Sequence, residues 1–116
     1  MYRRNSVINN ELKRGTAELA ILSVLEQSPL HGYEIARRIE QRSRGALKFS
    51  LAALYPLLYR MEGRGWLRGS WETSESGRQR RCYKLLPQGR KILIPMRSEW
   101  AGLQRAMHLL AKGFHA

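Results

Sequence analysis

The stretch SLAALYPLLYRMEGRGWL, Ser50–Leu67, decides how this chain folds. Advancing 100° per residue from Ser50 as N-cap, Leu54, Leu57, Leu58 and Met61 gather on one arc. Ala52, Tyr55, Pro56, Tyr59, Arg60 and Gly63 fall mostly on the opposite one. The spacing predicts a helix over about 50–63, with a core face and a distinctive outer face, ended by Gly63 and Gly65. Pro56 lies inside it, and an interior proline removes a backbone hydrogen bond at a cost of ~3 kcal/mol. On the outer arc and early in the helix, the freed group can turn to water or to a bound partner. Proline also adds no side-chain donor to a surface that carries Tyr55 and Tyr59.

Working outward, TAELAILSVLEQ (16–27) reads as a buried helix with Thr16 as N-cap and Ser28-Pro29 as its stop. GYEIARRIEQR (32–42) is amphipathic, with Ile35, Ala36 and Ile39 on one face, and Tyr33 is expected to pack on its inner side. His31, ahead of the Gly32 turn, is expected to hydrogen-bond locally at the start of this helix. Downstream, WLRGSWE (66–72) and RCYKLL (81–86) read as two strands joined by TSESGRQR. Alternation in the second strand leaves one face to pack and the other to water. Pro87 suits the first turn of a last helix. Along it Leu93, Met96, Trp100, Leu103, Met107, Leu110 and Phe114 alternate in steps of three and four, a coiled-coil stripe that predicts a homodimer interface. Pro95 predicts a kink or a late start to the regular part.

Composition narrows the function classes. In 116 residues, 21 Lys and Arg stand against 9 acids, a formal charge of +12 and a pI near 10.9. Such a surface attracts polyanions, nucleic acid before membrane. The single cysteine, Cys82, has no disulfide partner and no ligand-spaced neighbour, so a reducing cytoplasm is expected, with no metal and no cofactor. His108 and His115, seven residues apart, lack a third ligand nearby. No nucleophile is paired with a base, so the chain is not expected to be an enzyme. No apolar run approaches the length of a membrane span, and the last helix has a stripe too narrow for membrane-surface attachment.

Three helices followed by a hairpin is the order of a winged helix-turn-helix. The fold class expected is mainly α with a two-stranded β-hairpin (α+β): a winged helix-turn-helix over 1–86, its wing at about 66–86, and a dimerisation helix over 87–116. Ser50 opens the third helix, whose slim, mostly uncharged outer face of Ala52, Tyr55, Pro56 and Tyr59 suits the major groove. Lys48, Arg60 and Arg64 flank it as phosphate anchors, and Arg78, Arg80 and Arg81 are placed on the wing.

The segments LKRGTAELAILSVLEQSPLHGYEIARRIEQRS (12–43), SLAALYPLLYRMEGRGWL (50–67) and SESGRQRRCYKLLPQGRKIL (74–93) resemble the PadR family of bacterial winged-helix transcriptional regulators. His31, Gly32 and Tyr33 match the family's HGY turn, and Leu54, Tyr55 and Pro56 its LYP. The resemblance implies a DNA-binding repressor, dimeric through its C-terminal helix. It also allows a flat aromatic effector stacked on Trp100 between subunits. Pro87, where the family commonly has a threonine, and Pro95 depart from the pattern and bear on dimer geometry. The expected partners are therefore double-stranded DNA on a pseudo-palindromic operator and a second copy of the chain. The competing reading is a basic architectural or RNA-binding protein that uses charge without sequence readout, although RNA-binding modules present their aromatics on a sheet rather than a helix.

Overall fold

Leu54, Leu58 and Met61 are fully buried and Leu57 nearly so, which seats the third helix in the centre of the molecule. Each buried aliphatic side chain contributes ~1.5–3 kcal/mol, so the four together outweigh the cost of Pro56 and the helix runs through it. The computed structural model describes residues 6–112 in backbone and 15–112 in side chain. The order is α1 (Ser6–Leu25), β1 (Leu30–His31), α2 (Gly32–Arg42), α3 (Leu51–Gly63), β2 (Leu67–Thr73), β3 (Gln79–Leu85) and α4 (Pro87–Lys112). The fold is mainly helical with a small antiparallel sheet, as expected. Phe114 and His115 lie outside the described residues.

Three elements differ from the sequence reading. Helix α1 begins at Ser6, so Thr16 is an interior residue and not an N-cap. Gly15, which resembles a boundary, is carried within the helix at roughly 1 kcal/mol relative to alanine. The sheet has three strands in the order β1-β3-β2, because Leu30 and His31 pair with Tyr83 and Cys82. A two-residue strand has no periodicity by which to be found. Cys82 and Tyr83 are both buried although they point to opposite faces of β3. Tyr83 faces the core, and Cys82 lies between His31 on β1 and Ser70 on β2.

Local chemistry fixes the ends of α2 and α3. His31 closes a capping box: its backbone N–H donates to Glu34 Oε1 at 2.9 Å, and its Nδ1 meets the same oxygen at 2.7 Å. The local role expected for His31 is therefore the observed one. Ser50 Oγ accepts from the Ala53 N–H at 3.2 Å, and the Ser50 carbonyl accepts from both Ala53 and Leu54, so the first turn of α3 mixes 3₁₀ and α bonding. At its other end Gly65, at φ +79, closes a Schellman turn in which the Trp66 N–H donates to the Met61 carbonyl and the Gly65 N–H to that of Glu62.

The Trp66 carbonyl ties the sheet to α4. It accepts from the Leu86 N–H at 2.9 Å, and the Cα of Gly89 packs against it so closely that a Cβ there would lie 2.3 Å from the oxygen. Helix α4 then packs along α1, with Leu93 fully buried in the common core and Met96 partly buried against it. Leu93 is thus withdrawn from the expected dimer stripe. The first turns of a helix entering through Gly89 are pressed onto the domain before the stripe is free to face elsewhere. Pro95 is accommodated within a continuous α4. Gly89→Ala is expected to lower stability by ~2 kcal/mol or more, because backbone must move to admit the methyl. Guanidinium unfolding followed by circular dichroism measures it, and an unchanged midpoint would show that this close approach does not fix α4.

Candidate nucleic-acid interface

Helix α3 presents the outer face that its spacing predicts. Ser50, Ala52, Pro56, Tyr59 and Arg60 are exposed, with Tyr59 78% accessible. Its first turn carries no acid, and Ser50 Oγ caps the Ala53 N–H there. Lys48 lies exposed just ahead of it. Tyr55 divides its surface: part of the ring is laid on Gly32, where an added Cβ would stand 2.8 Å from it, and the rest stays open to solvent.

Between α3 and the sheet runs a hollow of about 800 Å³, lined by Tyr55, Tyr59, Arg60 and Trp71 among others. A second, of about 440 Å³, continues past Tyr55 and Trp71 to Tyr33, Arg78 and Arg80. The two share Tyr55, Trp71, Arg81 and Tyr83, so the outer face of α3 and the wing form one concave surface. The wing turn is ordered: the Ser74 N–H donates to the Arg78 carbonyl at 2.8 Å, and Gly77 takes a positive φ of +84.

Ion pairing sorts the cations. Arg81 does not lie at the wing tip; it sits within β3, where its Nη2 donates to Glu62 Oε2 at 2.8 Å and its guanidinium stacks on Trp71 at 5.3 Å. The hydrogen bond to Glu62 raises its pKa further above the ordinary arginine value. Glu62 also accepts from the Gly69 N–H at 3.0 Å, so the pair clamps the end of α3 to both wing strands. Arg64 is likewise engaged, with Glu18 at 3.3 Å and over the Trp66 ring at 5.0 Å. Lys48, Arg60, Arg78 and Arg80 form no ion pair among the described residues. Of the expected phosphate anchors, these four keep free charge, and Arg64 and Arg81 serve the scaffold.

Two aromatic residues of this surface escaped the sequence reading. Tyr33, expected to pack inward, is 61% exposed and carries Arg37 at 5.9 Å. Spacing holds the signal: Tyr33 lies 200° from Ile35, which is buried together with Ile39 on the inner face of α2, and one turn before Arg37. Trp71, 64% exposed, shares a strand face with the buried Leu67 but projects past the edge of the core. Alternation alone assigns it to the packed face.

A family model described as the transcriptional regulator PadR-like family matches residues 21–94. Among solved structures, a PadR family transcription regulator of Clostridium difficile is 27% identical, with 81% of this chain and 96% of that one covered at a TM-score of 0.69. A PadR family transcriptional regulator of Eggerthella lenta is also 27% identical, covering 91% and 90% at a TM-score of 0.75. A transcriptional regulator of Clostridium thermocellum, 24% identical, shares the fold over 84% of this chain and 95% of its own, with a TM-score of 0.76. No helix among the described residues is long and apolar enough to cross a membrane. With its helix-turn-helix, wing and first turns of α4 all inside the matched span, the chain belongs to the PadR-like family of transcriptional regulators.

Proposed function

We propose that this chain is a transcriptional repressor that binds a pseudo-palindromic operator as a homodimer, with α3 in the major groove and the wing on the flanking backbone. The observation that carries the reading is the outer face of α3: Tyr59 and Arg60 exposed together behind an acid-free helix N-terminus. Small or uncharged residues at 52 and 56 let the helix approach base edges. The unpaired Lys48, Arg60, Arg78 and Arg80 supply phosphate contacts on both sides.

The dimer reading rests on α4. Trp100, Leu103, Met107 and Leu110 are all exposed, following the partly buried Met96 at steps of four, three, four and three. Such a stripe on a soluble helix is supported by burial against a second copy. Two α3 helices would then lie about one DNA turn, ~34 Å, apart. Trp100 and its two-fold mate would offer flat apolar walls between the subunits, on which a small aromatic effector could stack and release the operator.

Gel-shift titration against the protein's own promoter and a random duplex tests the reading. Affinity should fall steeply with salt, and a protein with no preference for its promoter would end it. Arg80→Ala should weaken binding to both duplexes alike and lower the salt slope by ~0.9, leaving stability unchanged. Arg81→Ala should behave differently, lowering stability by ~1–2 kcal/mol because Glu62 loses its partner. Tyr59→Ala should cut the preference for the promoter by about 1 kcal/mol. Trp100→Glu should elute as a monomer in size exclusion; a persistent dimer would mean that the stripe is not the interface.

A further inference from the structure

On the face of the sheet turned away from the core, three different elements bring metal-binding side chains together. His31 comes from β1, Glu72 from β2 and Cys82 from β3, and their ligand atoms all lie within 4.8 Å of one another. Glu72 is the diagonal neighbour of Cys82 across the β2–β3 ladder, where Cys82 pairs with Ser70 and Glu72 with Arg80, and Cys82 is the partner of His31 in the β1–β3 pairing.

The imidazole of His31 is held between two carboxylates. Its Nδ1 meets Glu34 Oε1 at 2.7 Å and its Nε2 meets Glu72 Oε1 at 3.1 Å. A neutral imidazole carries one N–H and can donate to one carboxylate alone. Directed by Glu34, the proton belongs on Nδ1, which leaves the Nε2 lone pair facing the oxygen of Glu72. A cation between them removes that repulsion. Carboxylate, then histidine, then metal is the orientation common in protein metal sites, with the outer carboxylate fixing the tautomer and raising the basicity of the ligand.

We propose that His31 Nε2, Glu72 and Cys82 Sγ bind a divalent transition metal of the zinc class, with Glu34 as the positioning residue. One imidazole, one carboxylate and one thiolate form a mixed set suited to such an ion and poorly suited to calcium or magnesium. Zinc–ligand bonds of about 2.0–2.3 Å put tetrahedral ligand atoms roughly 3.5 Å apart; His31 Nε2 and Glu72 Oε1, 3.1 Å apart, already stand near that spacing, and no two ligand atoms of the cluster are more than 4.8 Å apart. The Cys82 thiol gives up its proton on binding, and the fourth position is left for water or a small ligand. Glu72 is exposed and forms the way in, whereas Cys82 is buried behind it. Arg80, opposite Glu72 in the ladder, is the cation that faces this cluster, against the two carboxylates of Glu34 and Glu72. The bound ion would join the start of α2 to both strands of the wing, fixing where the wing stands relative to the helix-turn-helix.

Cobalt(II), an open-shell stand-in for zinc, tests the site in the full reduced chain. One equivalent should give a thiolate-to-cobalt charge-transfer band in the near ultraviolet and the strong visible bands of a tetrahedral ion, both removed by zinc. Cys82→Ser should abolish the charge-transfer band. Glu34→Gln should weaken cobalt binding ~10- to 100-fold. Glutamine still accepts from the His31 N–H, so the capping box and the fold survive that change. Glu72→Gln, at an exposed position, should weaken binding by about 10-fold or more. Absence of the charge-transfer band with excess cobalt, or an undiminished band in Cys82→Ser, would overturn the proposal and leave His31 with a purely structural role, hydrogen-bonded between Glu34 and Glu72. Neither readout involves DNA, so the outcome is independent of operator binding.

Discussion

The Tyr55 ring of α3 packs directly on Gly32 at the start of α2, and the outer surface of α3 depends on that contact. Any side chain at 32 would overlap the ring, since even a Cβ would lie 2.8 Å from its edge and hydroxyl. Glycine therefore lets the two helices close to ring-on-backbone contact, and that contact sets how far α3 stands out. Tyr55 is flanked in sequence by Leu54, fully buried, and Pro56, exposed, so one turn of α3 carries the core, the hinge with α2 and the outer face in succession. On the other side of the same contact, His31 pairs with β3 and caps α2. Helix-turn-helix and wing are thus joined through two adjacent residues, His31 and Gly32.

Charge is divided along the same lines. With so few acids, each carboxylate decides which cation remains available. Glu62 and Glu18 take Arg81 and Arg64, and Glu26 at the end of α1 takes Arg97 at 2.7 Å, whose hydrogen bond holds the Glu26 carboxyl below its usual range. Each of these pairs joins two elements of the scaffold. The bridges of Arg64 and Arg97 are the more exposed and individually weak, and together with that of Arg81 they leave the uncompensated cations of α3 and the wing on the open side of the molecule.

Much of this was legible in the sequence because α3 obeys a single period. Leu54, Leu57, Leu58 and Met61 are buried as their spacing requires, Ser50 caps as its residue type suggests, and the outer arc is exposed. What was not legible depends on contacts between distant segments. Arg81 reads as one more basic wing residue until Glu62, nineteen residues earlier, is found beside it. Leu93 reads as the first residue of an external stripe until Gly89 brings the start of α4 against Trp66. The cluster of His31, Glu72 and Cys82 has no ligand spacing at all along the chain; only the three-strand pairing assembles it, and the strand that supplies the histidine is too short to be seen in any pattern.

Helix α4 is where these two kinds of information meet. Up to Met96 it is part of the core, pressed on α1 and anchored on the far side by Arg97 to Glu26. From Ser98 onward every described position is exposed, and yet the apolar period continues without a break through Trp100, Leu103, Met107 and Leu110. Pro95 stands at this change of environment, where the helix needs no partner for its outer carbonyls other than water. An isolated helix of a few turns is marginal in water, and most helical stability comes from packing an amphipathic face. The outer part of α4 therefore has a reason to be helical only if its stripe is covered. In the proposed homodimer a second copy, bringing the same stripe, would cover it by two-fold symmetry without any new surface, and because each α4 is continuous with the core through Leu93, covering the stripe would also fix the separation of the two α3 helices.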